Sequence, residues 1–583
     1  MSRTAPKPSP KAVVEPSTGG KPKETWRDFL EQIVVAIILA VLIRGFDAEA
    51  FVIPTGSMAP TLMGRHKEIN CPQCGLLYSI NVSEEVDDHI ASQRDRDLHE
   101  VGICVNCRYR TVVDDAPSFK GDRILVMKFP YELQFLPGSA GPRRWDVVVF
   151  HYPEKPETNY IKRMVGLPGE DLRISHGDIQ TRPGGSSDPF KIRRKPLIHQ
   201  KAMQIMVYDD HHRPKAIADR PEWRRWNPSG AWKEGIDGRF RSEPETNSEW
   251  SDLRYRHLLP DPEQWAALEK NAPLPRAPRA TLITDFYSYN TNANSPNEPW
   301  SRKYEGWVQS NWVGDLTLSG RVDLEVAQPG GMLKLELVEA GVSNRCEIDL
   351  ISGIASIYHG DKKLAEAGSV VRGIGAHDFA FANVDDRLTL WIDGETLFDA
   401  GLPYDDGPDT PHAPTAKDLD PAGISIKSAR ATVSDLVLKR DIYYTQEPRD
   451  PDYLIPGVTE ASDREGDNEY ARIVKLFDFL SDPAQFAILK DLSSRETYSI
   501  RPDHYMMMGD NSPRSSDSRA WNSLDRNWRT DDRSNWEVPR AMLIGKAFFV
   551  YWPHGKPFGP DIRVSRDFRI PFRPNFERMK WIR

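Results

Sequence analysis

Hydrophobic positions along the chain fall into distinct regimes. Between Trp26 and Phe46 they are almost continuous, and Ile33-Val34-Val35-Ala36-Ile37-Ile38-Leu39-Ala40-Val41-Leu42-Ile43 carries no charge. That run predicts an apolar helix which, with Phe29, Leu30 and the flanks, reaches the roughly 20 residues a bilayer core requires. Farther on, apolar residues come in short alternating runs bounded by turn residues. Ile124-Leu125-Val126-Met127, Val147-Val148-Val149-Phe150 and Tyr160-Ile161-Lys162-Arg163-Met164-Val165 predict strands. So do Leu333 to Leu337, Leu388 to Ile392 and Val433 to Leu438, with a hairpin signal at Asp393-Gly394. Residues 1–22 have no apolar period and are rich in Pro, Ser, Lys and Gly, which predicts disorder.

Three readings of the first run compete. Ala48-Glu49-Ala50 imitates the small-residue site of a cleaved signal peptide. A buried core helix is the second reading and an uncleaved anchor the third. Charge favours the anchor. Lys7, Lys11, Lys21, Lys23 and Arg27 precede the run, and Asp47 and Glu49 follow it. The positive-inside bias places residues 1–25 in the cytoplasm, spans the membrane once with 26–46, and puts the rest outside.

At 583 residues, two to four domains are expected. A mean hydropathy of -0.56 makes most of the chain water-exposed. A net charge of -8 argues against nucleic acid as a partner. Five cysteines are too few for a disulfide-dense secreted scaffold. Four of them form Cys71-x-x-Cys74 and Cys104-x-x-Cys107, with a polar spacer, Glu84 to Arg96 within it, longer than the usual ~15–20 residues. Two such knuckles offer four thiolates to a structural zinc ion, with no position open for water. Two disulfides or two redox pairs are the alternatives. Cys346 alternates with Ile348 and Leu350 and reads as a buried apolar residue.

Three stretches carry candidate chemistry. In Pro54-Thr55-Gly56-Ser57-Met58-Ala59-Pro60-Thr61-Leu62 the prolines and Gly56 break any helix, so a short strand feeds a turn bearing a hydroxyl. In the second, Lys162 sits in an apolar strand with Tyr160 and Met164 on its face and Ile161 and Arg163 opposite. A lysine buried there has a lowered pKa and can accept the proton of a serine nucleophile; an exposed strand lysine is the plain alternative. The third, Met506-Met507-Met508-Gly509-Asp510-Asn511-Ser512-Pro513-Arg514-Ser515-Ser516-Asp517-Ser518-Arg519, ends a strand in short polar side chains with an Asp–Arg pair of its own.

Together these stretches resemble bacterial type I signal peptidases, the membrane-anchored serine–lysine proteases of the S26 family. Gly121-Asp122-Arg123 and Asp146-Val147-Val148-Val149-Phe150 match the family's structural strands. The resemblance implies a mainly β catalytic fold working without a metal. It implies Ser57 as nucleophile, Lys162 as general base and Thr55 as an oxyanion donor beside the Ser57 amide. Ser515 would be the hydroxyl that orients the lysine, although Ser512-Pro513-Arg514 departs from the family's polar run. The implied substrates are secretory preproteins with small residues one and three positions before the cut. The implied partners are the lipid bilayer of the inner membrane and the export machinery.

The resemblance leaves out the cysteine module and the long middle. The expected catalytic parts are 47–70, 111–210 and 446–555, with a zinc-ribbon-like insert at 71–110. Residues 215–445 are expected to be an inserted β-sandwich, of the concanavalin/laminin-G jelly-roll kind from Trp312 to Tyr444. Such a sandwich binds glycans or serves only as architecture. Accordingly, the rival to a protease is an extracytoplasmic glycan- or protein-binding membrane protein on a protease-like scaffold. Trp223, Trp226, Trp232, Trp250 and Trp265 precede the jelly roll and are expected to pack in cores. Residues 556–583 mix cations with Phe568, Phe572, Phe576 and Trp581, and read equally as a lipid-facing or a packed tail.

Overall fold

The structure is a computed structural model. It describes residues 26–42, 48–83, 101–113, 116–128, 131, 141–243, 249–291, 310–405, 412–447, 452–453, 455–456, 458, 469–489, 496–521, 536–553, 555–565, 568–573 and 575–583. The tail 1–25 and the spacer Glu84 to Arg96 lie outside these residues. The chain divides into a unit up to Glu49 and a unit from Ala50 onward.

The first unit holds the helix Trp26–Leu42, 17 residues long, on which Phe29, Leu30, Val34, Val35 and Ile38 are exposed. At 1.5 Å per residue it spans about 26 Å. Among the described residues no helix is long and apolar enough to cross a membrane. Helix covers the apolar run through Leu42, and the last residues of the expected span, 43–46, lie outside the described residues.

In the second unit an eight-stranded sheet carries the three chemical stretches. Its order is Ala48–Val52 (in this unit from Ala50), Arg123–Met127, Leu543–Trp552, Val147–Tyr152, Lys155–Gly166, His504–Met508 and Val538–Pro539, with Lys580–Trp581 beside Leu543–Trp552. Alternation gives the sheet two apolar faces. Val147, Val149, Ile124, Val126 and Ala547 pack with Ile53, Met58 and Leu62. Val148, Phe150 and Met164 pack with Tyr505, Met507 and Trp521 on the other side. Burial on both faces explains why these strands read as continuous apolar runs.

A 14-stranded antiparallel sheet occupies most of the middle. Its spine is Leu316–Glu339 against Ala422–Arg440, bent by register shifts around Ser319, Leu324 and Ala327. Inward side chains from all its parts, Cys346 included, form one cluster. This sheet starts earlier than expected, because Ile205–Asp209 pairs with Ala422–Arg440. Residues between the two halves of the middle do something else. Trp223, Leu258, Trp265 and Phe286 pack on the cysteine module. Of the five tryptophans, only Trp250 is not fully buried.

Candidate active site and cysteine centre

The Ser57 turn is clamped at both ends by Asp122. Ile53 N donates to Asp122 O (2.9 Å), Asp122 N to Met63 O (2.9 Å), and Met63 N to the Asp122 carboxylate (2.8 Å). Gly121 is required for this approach, since a Cβ there would lie 1.8 Å from Ile53 O. The turn therefore sits on the strand Arg123–Met127 with its geometry set before Ser57 is reached.

Lys162 enters from the neighbouring hairpin. Val148 lies opposite it, and Met508 pairs with the next residue, Arg163. This register puts the loop after Met508 beside the lysine. Lys162 Nζ donates to Ser57 Oγ at 2.6 Å, with both residues buried. Burial pushes the lysine pKa down to about 8, against the pull of Asp517 and Asp510 and with a further push from Arg519. About a tenth of the lysine is then neutral at pH 7, and in that form it can take a proton from Oγ.

Two buried ion pairs frame this pair. Arg163 grips Asp510 with Nε to Oδ1 at 2.6 Å and Nη2 to Oδ2 at 2.7 Å, and its Nη1 donates to Trp145 O. Thr61 closes the same carboxylate. Arg519 grips Asp517 at 2.9 and 2.7 Å and reaches Thr445 O, Ser512 Oγ and Ser512 O. Asp517 in turn accepts from Gly509 N at 3.0 Å.

Ser515 is buried on Gly509, where any Cβ would lie 2.2 Å from the Ser515 hydroxyl and 2.4 Å from Ser57 O. Burial pushes the pKa of the Asp517 carboxyl up and Arg519 holds it down, while the Ser515 hydroxyl beside it makes no hydrogen bond with Lys162. Thr55, two residues before Ser57, is exposed. Ser57, Lys162 and the Gly509–Arg519 loop thus meet, with Ser515 behind the loop and Thr55 at its open side.

The family comparison covers Lys162 and the Gly509–Arg519 loop of this layout, and Ser57 and Thr55 lie outside it. The model of the family described as signal peptidase, peptidase S26, matches residues 111–199 and 456–552. Over these two segments the chain is similar to the peptidase S26 family. Signal peptidase I of Pseudomonas aeruginosa is 48% identical over 62 residues, covering 9% of this chain and 22% of the relative. The probable signal peptidase I-2 of Synechocystis is 26% identical over 163 residues, covering 27% of this chain and 46% of the relative. The chain thus spans less than half the length of these S26 relatives. A carbohydrate binding module from Bacillus subtilis overlays 37% of this chain and 95% of its own, at 10% identity and a TM-score of 0.22, too low to bear on the fold.

The four paired cysteines form a separate centre outside the segments matched to the family. Cys71, Cys74, Cys104 and Cys107 are buried, with their sulfurs all within 4.8 Å of one another. Cys71 to Cys107 and Cys74 to Cys104 are 3.6 Å apart. A disulfide would need about 2.0 Å, whereas a tetrahedron with ~2.3 Å metal–sulfur bonds has edges of about 3.8 Å. The donor set therefore fits a zinc ion. Each knuckle closes by the same bonds: Gly75 N to Cys71 O and Arg108 N to Cys104 O, both 2.8 Å. Both turn residues have positive φ, 72° at Gly75 and 59° at Arg108, and Arg108 is held there by its side-chain bond to Val105 O.

Several residues of the site have no signal in local sequence. Arg163 was expected only as the opposite face of the Lys162 strand. Thr445, whose carbonyl takes Arg519, comes from the exit of the long middle, and Tyr289 and Asn290 come from the middle itself, Tyr289 packing on Gly56 and Asn290 bonding Asn511. Their partners are far away in sequence, so no spacing rule points to them.

Proposed function

We propose that this chain is a membrane-anchored signal peptidase, a serine endopeptidase that removes signal peptides from exported preproteins through a Ser57–Lys162 dyad. The observation that carries the proposal is the buried 2.6 Å contact between Ser57 Oγ and Nζ of Lys162, which lies in the S26-matching segment 111–199. Neutral Lys162 takes the hydroxyl proton as Ser57 Oγ attacks the scissile carbonyl. Lys162 then gives that proton to the leaving amine, and in the second half takes one from the water that opens the acyl-enzyme. The Ser57 amide and Thr55 hydroxyl serve as oxyanion donors, and the exposure of Thr55 suits it to a substrate that arrives from solvent. Ser515 supports the loop beneath Lys162 through Gly509 and Asp517.

The apolar run from Phe29 to Ile43 supports a single N-terminal anchor with the catalytic unit outside the cytoplasm. In this reading the bilayer and the export machinery are partners. The gap in the family match between 199 and 456 supports the reading of the middle as an insert carrying a β-sandwich. Zinc held by Cys71, Cys74, Cys104 and Cys107 would tie the two knuckles together and takes no part in the reaction.

The test is cleavage of a purified preprotein by the full chain in detergent, alongside Ser57→Ala and Lys162→Met. Cleavage at a site with small residues at positions one and three before the cut, lost in both variants, is expected. Equal processing by all three proteins sinks the dyad.

A further inference from the structure

The Ser57 turn is held by a segment that belongs to neither the S26-matching residues nor the cysteine knuckles. The short helical turn Ser288–Asn290 lies in the long middle. Tyr289 is fully buried with its ring against Gly56, where a Cβ would meet Tyr289 Cε1 at 2.3 Å. The φ of Gly56 is not positive, so this packing rather than backbone strain calls for a glycine. Asn290 and Asn511 pair reciprocally: Asn290 Nδ2 donates to Asn511 Oδ1 at 2.7 Å, and Asn511 Nδ2 donates to Asn290 Oδ1 at 2.8 Å. Asn511 Nδ2 also donates to Gly56 O at 3.1 Å, an acceptor shared with Ala59 N. Asn511 N donates to Ser57 O at 3.0 Å.

This chain of contacts fixes one peptide plane. In a trans peptide the C=O and the following N–H point in opposite directions. Holding Gly56 O therefore aims the Ser57 N–H, the donor assigned above to the oxyanion. Asn511 alone can rotate about its side-chain torsions; paired with Asn290, both its amide hydrogens and its oxygen are committed.

The segment is itself anchored on two sides. Ile103 N, next to Cys104, donates to Thr291 Oγ1 at 3.1 Å, and Arg440 Nη2 donates to Asp285 O at 2.6 Å. One end of the strut thus rests on the cysteine module and the other on the last residue of the long strand Ala422–Arg440.

From this geometry we infer that Asn290, seconded by Tyr289, is a positioning residue for the Ser57 oxyanion site, supplied by the inserted middle of the chain. The inference rests on the proteolytic reading of Ser57. A misaimed donor weakens transition-state binding and leaves ground-state binding of the substrate almost untouched. The signature is thus a fall in kcat without a matching rise in KM.

Two measurements on the full-length chain test it. In the first, Asn290→Ala should lower kcat by about 10- to 100-fold with KM within about twofold. Asn511→Ala should do the same, and the double variant should lose little more than either single one. A kcat within about twofold of wild type for folded Asn290→Ala overturns the inference. If Asn290→Ala does not fold, Asn290→Ser, smaller but polar, is read by the same criteria. In the second, hydrogen exchange by mass spectrometry should show faster exchange in Asn290→Ala confined to the peptide spanning 54–62 and its partner loop at 509–515. Unchanged exchange there overturns the inference even if activity falls. Should wild type show no Ser57-dependent cleavage, the proteolytic reading fails and the inference falls with it; the exchange arm then still reports separately whether the strut holds the loop.

Discussion

Lys162 Nζ and Ser57 Oγ are 2.6 Å apart in a site from which water is largely excluded. The contact is short enough for direct proton transfer, and desolvation lowers the lysine pKa to about 8, as the proposed base role requires. Activity should therefore rise with pH through about 8, following the neutral amine, and level off above it. A kcat/KM profile measured from pH 6 to 10 checks this. A profile governed instead by a group titrating near 6.5, the ordinary range of histidine, would reject Lys162 as the base. Lys162→Met should lower kcat by at least about 10²- to 10⁴-fold, the usual worth of a positioned base.

The same lysine should cost stability. Its folded pKa lies below the unfolded value of 10.5. Below pH 8 both states bind the proton, and the full burial penalty, about 3 kcal/mol, is present. Between 8 and 10.5 the unfolded state binds more protons than the native one, so stability rises with pH and the penalty fades. Lys162→Met should accordingly be more stable than wild type at pH 7, with the advantage shrinking toward pH 10.5. Denaturant melts of both proteins across that range test the sign, and an advantage that grows with pH contradicts it.

Lys162 and Ser57 were legible because each stands out locally, a lysine in an apolar strand and a serine in a Pro/Gly turn. The Asp–Arg pair within the last stretch was legible too, as Asp517–Arg519, because its partners are two residues apart. Arg163 was not, because its carboxylate, Asp510, is 347 residues away. Alternation alone set it on the face opposite Lys162 and said nothing of what met it there. Asn290 and Asn511 are 221 residues apart, and neither amide is unusual in its own segment. Ser515 was placed by family alignment, and the structure puts it under Gly509 rather than against the lysine amine. The strands of the middle were readable from alternation, but the packing of 256–291 on the knuckles was not, since its partners at Cys71–Cys107 are about 150 residues away or more.

Arg163 and Asp510 are both fully buried, and their bidentate pair links the lysine strand to the catalytic loop. The Asp510 carboxylate also takes the hydroxyl of Thr61, four residues after Ser57 in the same turn. Removing one partner leaves the other charged and dry. Asp510→Ala should therefore lower stability by about 3–5 kcal/mol, measured by urea unfolding. A loss below about 1 kcal/mol, the range of exposed pairs, would mean that water or another carboxylate takes over the guanidinium.

The cysteine centre predicts a metal with structural consequences beyond its own knuckles. Trp265 Nε1 donates to Cys107 O at 3.1 Å, Arg225 Nη2 to Asn106 O at 2.6 Å, and Asn106 Nδ2 to His212 O. The second knuckle is thus a landing surface for residues from three parts of the middle, and its shape depends on all four sulfurs staying at tetrahedral distances. Purified full-length protein should carry one zinc ion per chain by elemental analysis, with four thiols that become titratable only after chelation under denaturing conditions. Cys71→Ser should lose the ion. With it should go part of the large free energy of structural zinc binding, about 10–16 kcal/mol in small domains, seen as a lower melting temperature and earlier proteolysis between residues 205 and 291. Because Ile103 and Thr291 connect this knuckle to the segment beneath Ser57, the variant should also lose activity at temperatures where most of the chain remains folded. Zinc-free protein with two oxidised pairs would reject the metal. Zinc loss that left both the melting temperature and the proteolysis pattern unchanged would show that the packing of Trp265 and Arg225 holds the knuckle without it.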